Sequence, residues 1–442
     1  MVQSSPQIGS QAELGNRGWQ RSGLQELVRV VTADYNSRLY VGYRERLAMR
    51  VLGRRYDTRE PVMVDVDDGR ISDVCAAGPS AAGEPLPWLA PGLVDVQVNG
   101  FGGCEFNDPA LTVADVLRIS CTLDRFGVTS YYPTATTDSD EALSRTMSTL
   151  AQACRQLPEV ANRVPGFHLE GPYITPDDGA RGAHPLQHVR PPDVDEFLRL
   201  QDAADGRIRI LTLSPEYERA PALIARAAAD GVVVAIGHTS ATSDQIQAAV
   251  DAGARLSTHL GNGAHGQLCR HPNYIWDQLA EDRLTASLIV DGHHLPPAVV
   301  KTIVRAKSPG RCILISDVTL MGGMPPGRYE TPGLGAIELL PSGRPVVAGQ
   351  TQILAGAAVP ITAGISNILR FTDEDLTSAV DMASTHPAAL LGRQRPWLQA
   401  GQPADLVLFH LPGADKATPV GEVEVVATIN SGRLVFGQLP AG

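Results

Sequence analysis

The chain has 442 residues, of which 43% are hydrophobic and 19% are charged, a composition typical of a folded globular protein. Its formal net charge of −11 at pH 7 argues against a nucleic-acid-binding surface, because phosphate backbones bind basic patches. No run approaches the roughly 18 consecutive apolar residues of a membrane span, and the polar N-terminus has no secretory signal pattern. The six scattered cysteines include no C-x-x-C pair, so we expect reduced thiols and a cytoplasmic protein.

The two ends of the chain differ in pattern from its middle. Residues 1–44 show no strand or barrel pattern, and we interpret them as a disordered extension or as the product of a start codon assigned too far upstream. Strand patterns occur beyond them and near the C-terminus, at 62–66, 70–74, 404–409 and 423–429. The first two flank an Asp-Gly turn and predict a hairpin. Together they predict one small β-sandwich domain formed from residues 45–90 and 397–442.

The middle of the chain, residues 91–396, alternates short apolar runs with helical segments. Predicted strands lie at 92–98, 127–134, 164–170, 208–214, 232–237, 255–260, 286–291 and 311–317. Helical periodicity is found between strands at 115–126, 220–230 and 243–252. Eight strands in this rhythm favour a (β/α)₈ barrel over an open doubly wound sheet. We also expect a β-hairpin at 328–350, inserted before the last helices.

Carboxylate and imidazole side chains follow five of the predicted strands. They are Glu170, His238, His259, His294 and Asp317, and the active site of a (β/α)₈ barrel lies at this end of its strands. A single histidine there has a structural alternative, but a carboxylate that closes an apolar run needs a charge partner or a metal. Glu170, His238 and His259 offer the ligands that suit Zn²⁺, and Fe²⁺ or another divalent ion would also fit. A water on the ion would be the nucleophile, with Asp317 as general base.

Six motifs together resemble one known family. They are APGLVDVQVNG at 90–100, LEGP at 169–172, GHT at 237–239, THL at 258–260, DGHH at 291–294 and SD at 316–317. In this order they resemble the N-acetylglucosamine-6-phosphate deacetylase branch of the amidohydrolase superfamily, over about residues 50 to 435. The resemblance implies that Glu170, His238 and His259 hold the metal and that Asp317 is the base. It also implies that His184 helps to polarise the acetyl carbonyl of the substrate.

The resemblance further implies a set of substrate-binding residues and a partner subunit. The residues are Ala183, Asn262, Gly263, Arg270, His294, Leu354, Ala355 and Gly356. Arg270 and His294 match a pair that holds the 6-phosphate across a dimer interface in the family, so we expect a homodimer. QVN at 97–99 stands where many amidohydrolases have His-x-His and two metals. The resemblance therefore implies one divalent ion per subunit.

Three substrate loops depart from the family pattern, at 262–264, 269–273 and 354–358, whereas the metal motifs do not. Our leading hypothesis is hydrolysis of the acetamido group of N-acetylglucosamine 6-phosphate to glucosamine 6-phosphate and acetate. One alternative keeps the metal site but acts on another N-acyl sugar or on a non-phosphorylated amide, and Arg270 would then be a surface ion-pair residue. A second alternative is a catalytically silent amidohydrolase-like scaffold.

Overall fold

The computed structural model describes residues 48–77, 86–331, 335–348, 350–354, 356–393 and 398–440. The predicted extension at 1–44 and the substrate-loop residue Ala355 lie outside this part of the chain. No helix among the described residues is both long enough and apolar enough to span a membrane.

The described strands belong to four sheets, and β6 and β7 pair only with each other. The strands are β1 (Met49–Arg55), β2 (Pro61–Asp67), β3 (Arg70–Ala76), β4 (Trp88–Pro91), β5 (Leu93–Val98), β6 (Gly100–Phe101), β7 (Cys104–Glu105), β8 (Val128–Thr136), β9 (Phe167–Glu170), β10 (Ile208–Leu213), β11 (Val233–Ile236), β12 (Leu256–Ser257), β13 (Thr285–Ile289), β14 (Cys312–Ile315), β15 (Gly327–Thr331), β16 (Gly335–Leu339), β17 (Pro345–Val347), β18 (Gln350–Leu354), β19 (Leu406–His410), β20 (Glu424–Asn430) and β21 (Arg433–Gly437). The α-helices are α1 (Val113–Leu123), α2 (Asp140–Gln156), α3 (Pro158–Arg163), α4 (Val194–Ala203), α5 (Ala220–Ala229), α6 (Ser243–Ala252), α7 (Tyr274–Ala280), α8 (Pro297–Lys307), α9 (Thr362–Phe371), α10 (Leu376–Ala383) and α11 (Thr385–Leu390). Short 3₁₀ helices occupy Asp124–Phe126, Leu186–His188 and Pro309–Arg311.

Eight parallel strands form a barrel, as the sequence predicts. They pair in the order β14, β13, β12, β11, β10, β9, β8, β5. The circle closes where β5 meets the chain just after β14, because Val98 bridges to Val318 and the backbone N–H of Asp317 donates to the Gln97 carbonyl at 3.0 Å. The (β/α)₈ prediction is therefore confirmed.

The barrel strands are readable from sequence because both of their faces are buried. All six residues of β5 are buried, and apolar side chains such as Val96, Ile210 and Ile313 pack together in one cluster. Two of the helices around the barrel begin with a capping box. Thr112 before α1 and Thr242 before α6 each form a capping box with the residue three positions on, which satisfies backbone donors that a helix start leaves free.

The two ends of the chain form one small domain, also as predicted. Its seven-stranded sheet has the order β21, β20, β19, β4, β1, β2, β3, and only β1 and β4 pair in parallel. The β2–β3 hairpin also contacts the segment before β19, since Ala404 donates its N–H to the Gly69 carbonyl and Ile71 donates its N–H to the Gln402 carbonyl, both at 2.9 Å. Asp68 and Gly69 both have positive φ, which suits the tight turn of a two-residue hairpin. The domain limits at 45–90, 91–396 and 397–442 stay predictions.

The insertion after β14 is larger than the predicted hairpin at 328–350. It is a four-stranded antiparallel sheet of β15, β16, β17 and β18. Ile337 and Leu339 on β16 are buried against Met321 from the loop after β14. An isolated hairpin would leave this apolar face in water. The strands are three to five residues long, too short to show a clear alternation in the sequence.

Candidate functional site

The carboxyl end of the barrel collects the polar side chains that the sequence analysis selected. Glu170 is the last residue of β9, and His238, His259 and Asp317 each lie two residues beyond a strand. Glu170, His238 and His259 are buried, with at most 6% of their surface exposed, and Asp317 is partly buried. The closed barrel brings together residues that are up to 147 positions apart in sequence, from Glu170 to Asp317.

Glu170, His238 and His259 converge on one point. The Nε2 atoms of His238 and His259 lie 3.2 and 3.0 Å from Glu170 Oε1, and 3.1 Å from each other. Two ligand atoms on a tetrahedral Zn²⁺, with bonds of about 2.0–2.1 Å, are roughly 3.3 Å apart. The three atoms are therefore spaced as the ligands of one small ion would be.

The hydrogen bond at the far side of His238 fixes which nitrogen can bind an ion. His238 Nδ1 lies 3.0 Å from the Ala180 carbonyl oxygen, and a carbonyl only accepts, so Nδ1 carries the proton. Nε2 then has a free lone pair directed at Glu170, which is the tautomer that a metal ligand needs. His259 Nδ1 is buried and has no hydrogen-bond partner among the described residues.

Two amide side chains at the end of β5 hold the carboxylates of the site. Gln97 Nε2 donates to Glu170 Oε1 at 3.0 Å, and Asn99 Nδ2 donates to Asp317 Oδ1 at 2.8 Å. The sequence motif placed these residues on the first strand but did not show these bonds. The signal was their alternation, since Gln97 and Asn99 lie two apart and so share one side of the strand.

His184 reaches the same cluster from the loop after β9. Its Nε2 lies 3.2 Å from His238 Nε2, and its Nδ1 lies 2.8 Å from Thr137 Oγ1. Ligand-type atoms of Glu170, His184 and His238 all fall within 4.8 Å of one another. Burial and the nearby His238 lower the pKa of His184 to about 3, so this imidazole is neutral. Thr137 was not selected from the sequence.

The carboxylates at the site differ in protonation behaviour. Burial alone would raise the pKa of Glu170, but the close approach of His238 and His259 outweighs it and holds that pKa well below the usual range. At Asp317 the hydrogen bond from Asn99 lowers the pKa but does not outweigh the effects that raise it. Its burial and the nearby Glu170 raise the pKa of Asp317 to about 6. Two acidic groups with different affinities for protons are typical of a site that moves protons.

The backbone is strained at three of these residues. His238, His259 and Asp317 have φ values of 49°, 30° and 51°, a region that costs residues with a side chain about 1–3 kcal/mol. Such strain persists only where the surroundings hold it. No pattern in the sequence signals it.

The predicted substrate residues Gly263 and Asn262 lie beside the histidines of the site. Gly263 has φ +53°, and a Cβ atom there would meet the His238 ring at 2.7 Å and the His259 ring at 3.2 Å. Asn262 donates its backbone N–H to the His259 carbonyl at 2.9 Å, and its buried Nδ2 has no partner among the described residues. Ala183, just before His184, is exposed.

The other predicted substrate residues lie farther from the cluster. His294 Nδ1 is 2.8 Å from Asp291 Oδ2, and both side chains are nearly buried. Arg270 is exposed, and none of its described contacts is with Glu170, His238 or His259. Leu354 ends β18, whereas Gly356 lies against Thr319, two residues beyond Asp317.

Comparison with known proteins agrees with this architecture. The model of the amidohydrolase family matches residues 88–435. The N-acetylgalactosamine-6-phosphate deacetylase of Escherichia coli O157:H7 is 33% identical over 351 residues, covering 77% of this chain and 89% of that protein. The N-acetylglucosamine-6-phosphate deacetylase of Homo sapiens is 33% identical over 360 residues, covering 79% and 83%.

Solved structures give the same family. The N-acetyl-D-glucosamine-6-phosphate deacetylase of Mycobacterium smegmatis, solved as a variant in complex with N-acetyl-D-glucosamine-6-phosphate, is 32% identical. It superposes with a TM-score of 0.75 over 85% of this chain and 94% of that one. The corresponding enzyme of Thermotoga maritima is 27% identical, with a TM-score of 0.73 over 88% and 99%.

Proposed function

This chain belongs to the amidohydrolase family, and we propose that it hydrolyses the acetamido group of N-acetylglucosamine 6-phosphate to glucosamine 6-phosphate and acetate. The observation that carries the proposal is the convergence of Glu170, His238 and His259 beside Asp317 at the carboxyl end of the barrel. The deacetylase names of the relatives supply the substrate. The same convergence disfavours a silent scaffold, because a scaffold has no need of an intact set of ligands beside an acidic side chain.

The proposal assigns one divalent ion to each subunit, held by Glu170, His238 and His259. Zn²⁺ is the expected ion, since two imidazoles and a carboxylate are a common zinc set, and Fe²⁺ or another divalent ion also suits these ligands. When bound, such an ion supplies Lewis-acid polarisation of a carbonyl and of water. Gln97 stands on β5 where a two-metal amidohydrolase has a histidine ligand, and its amide donates to Glu170. This supports one ion rather than two.

Asp317 is the proposed general base, and then the acid. It takes a proton from the attacking water as the new C–O bond forms at the acetyl carbon. It hands the proton to the amine nitrogen as the C–N bond breaks, so acetate and the free amine leave. Asn99 donates to Oδ1 of Asp317, which holds the carboxylate in one orientation. His184, with its Nδ1 accepting from Thr137, would direct its Nε2–H to the acetyl carbonyl oxygen.

Substrate recognition is assigned to the loops around this centre. Ala183, Asn262, Gly263, Leu354, Ala355 and Gly356 are the proposed contacts to the sugar, and the unpartnered Nδ2 of Asn262 supports that role. Arg270 and His294 are the proposed 6-phosphate pair, contributed across the interface of a homodimer. The exposure of Arg270 supports a contact that this subunit does not itself complete. No disulfide joins any of the six cysteines, which all lie in the described part of the chain, and this supports a cytoplasmic location.

The test is acetate release from metal-loaded protein. We expect turnover of N-acetylglucosamine 6-phosphate and much lower kcat/KM for N-acetylglucosamine, because a guanidinium binds phosphate oxygens strongly. N-acetylgalactosamine 6-phosphate is the third substrate, since one relative bears that name. Equal rates with and without the phosphate would contradict the role of Arg270, and no acetate from any of the three would contradict the proposed reaction.

A further inference from the structure

Glu216 lies in the loop after β10, beside the chain that follows the proposed ligand His238. Its carboxylate accepts three hydrogen bonds. Oε2 accepts from Thr239 Oγ1 at 2.8 Å and from Ser214 Oγ, and Oε1 accepts from the backbone N–H of Ser240 at 3.2 Å. Thr239 and Ser240 are the two residues directly after His238. The carboxylate therefore links the loop after β10 to the chain that follows the neighbouring strand β11.

The direction of these bonds is fixed by the groups involved. Thr239 Oγ1 accepts from the N–H of Ala241 at 3.0 Å, so its own hydrogen is left to point at Glu216. A carboxylate offers only acceptors, so all three partners of Glu216 must donate. The second anchor of Glu216 is its backbone carbonyl, which accepts from Gln245 Nε2 on α6 at 3.2 Å.

These bonds act on a strained part of the backbone. His238 has φ +49°, and its carbonyl accepts from the N–H of Thr175 at 3.0 Å. The carbonyl bond holds the peptide group that joins His238 to Thr239, and Glu216 holds the residues beyond it. The position of the His238 ring depends on the φ and ψ angles of His238. If the segment after His238 were released, its backbone could leave the left-handed region, and Nε2 would move away from Glu170 and His259.

We propose that Glu216 is a positioning residue that holds His238 in the geometry needed to bind the metal. Glu216 has no described contact with Glu170, His238 or His259. It acts through Thr239 and Ser240. This inference rests on the proposed metal site and adds to it a residue that neither the sequence motifs nor the metal ligands include.

The test measures metal affinity in Glu216→Ala and Glu216→Gln. Apo-protein is titrated with Zn²⁺ against a chromophoric chelator, and the d–d absorption of Co²⁺-loaded protein reports the ligand geometry. We expect Glu216→Ala to weaken Zn²⁺ binding about 10- to 100-fold and to change the Co²⁺ spectrum. Glu216→Gln keeps one acceptor oxygen, which can face Ser240 while the two hydroxyls rotate to accept from the amide. It should therefore lose less affinity.

The matched control is Glu218→Gln, since Glu218 lies two residues away in the same loop and is exposed; its affinity and spectrum should match the wild type. A purely structural role would lower the thermal stability of apo-protein and leave the Zn²⁺ constant unchanged, and that result would overturn the inference. If Glu216→Ala does not fold, Thr239→Val takes its place, because it removes one of the three donors to Glu216, and wild-type affinity and spectrum in it would equally overturn the inference. Wild-type protein that binds no metal would instead contradict the proposed function.

Discussion

Gly263 shows how closely the chain wraps the histidines of the site. Its Cα lies so near the rings of His238 and His259 that the Cβ of any other residue would meet them. The sequence indicated Glu170, His238, His259 and Asp317, because charged or imidazole groups after apolar strands are unusual. It could not indicate the left-handed backbone of the last three, since φ at a non-glycine residue is set by distant contacts. These contacts exist only once the barrel is closed.

Replacement of Gly263 by alanine should therefore disturb the metal site. The new Cβ would lie 2.7 Å from His238 ring atoms at φ +53°, so we expect a loss of about 1–3 kcal/mol in folding free energy together with weaker Zn²⁺ binding. Thermal unfolding and chelator competition measure the two effects. Gly266→Ala is the control, because Gly266 has open space around its Cβ position; an equal loss in both variants would contradict a specific contact with the rings.

Replacement of Asp317 by asparagine should remove the base and leave the metal. We expect kcat for acetate release to fall by about 10²- to 10⁴-fold, with an unchanged metal content, because Asp317 is not among the three proposed ligands. Steady-state kinetics and elemental analysis of the same preparation measure both quantities. A variant that retains wild-type kcat would exclude Asp317 as the base, and one that loses its metal would make it a ligand.

At the scale of elements, burial decided what the sequence could predict. Barrel strands such as β5 and β13 are buried on both faces and mostly apolar, so their positions could be read closely. The four-stranded insertion from β15 to β18 was read as one hairpin, because β15 and β16 are partly exposed and the apolar side of β16 is buried against Met321, outside the insertion. Buried ion pairs between elements were also invisible to pattern analysis.

One such pair joins the 3₁₀ helix after α1 to the end of α3. Arg163 Nε and Nη2 each donate to Asp124 at 2.8 Å, and the side chains are 5% and 3% exposed. Arg163→Met should cost about 3–5 kcal/mol because it leaves a buried carboxylate without its partner. Addition of Asp124→Asn should recover part of that loss.

Thermal unfolding of the two variants measures this effect. The control is Arg226→Met, which breaks an exposed pair with Asp230 whose side chains are 47% and 38% exposed. That change should cost no more than about 0.5 kcal/mol. Similar losses at the buried and the exposed pair would show that burial does not set the energy of the Arg163 contact.

At the scale of the whole molecule, the small domain and the barrel are joined by polar contacts as well as by the chain. From β20, Thr428 Oγ1 donates to the Asp124 carbonyl at 2.7 Å, and Asn430 Nδ2 donates to the Thr129 carbonyl at 2.8 Å. The sequence predicted both units because each has its own strand pattern. It could not predict these contacts, which depend on how the two surfaces meet. The substrate loops vary most from the family pattern, so they are where the resemblance says least.

The proposed hydrolase depends for its activity on one ion at Glu170, His238 and His259. The most direct test strips the protein with a chelator, adds Zn²⁺ in steps and follows both bound metal and acetate release from N-acetylglucosamine 6-phosphate. We predict no activity without metal, a linear rise to a break at about one equivalent per chain, and no tight binding in His259→Ala. Activity in metal-free protein, a break at two equivalents, or full binding by His259→Ala would contradict the account.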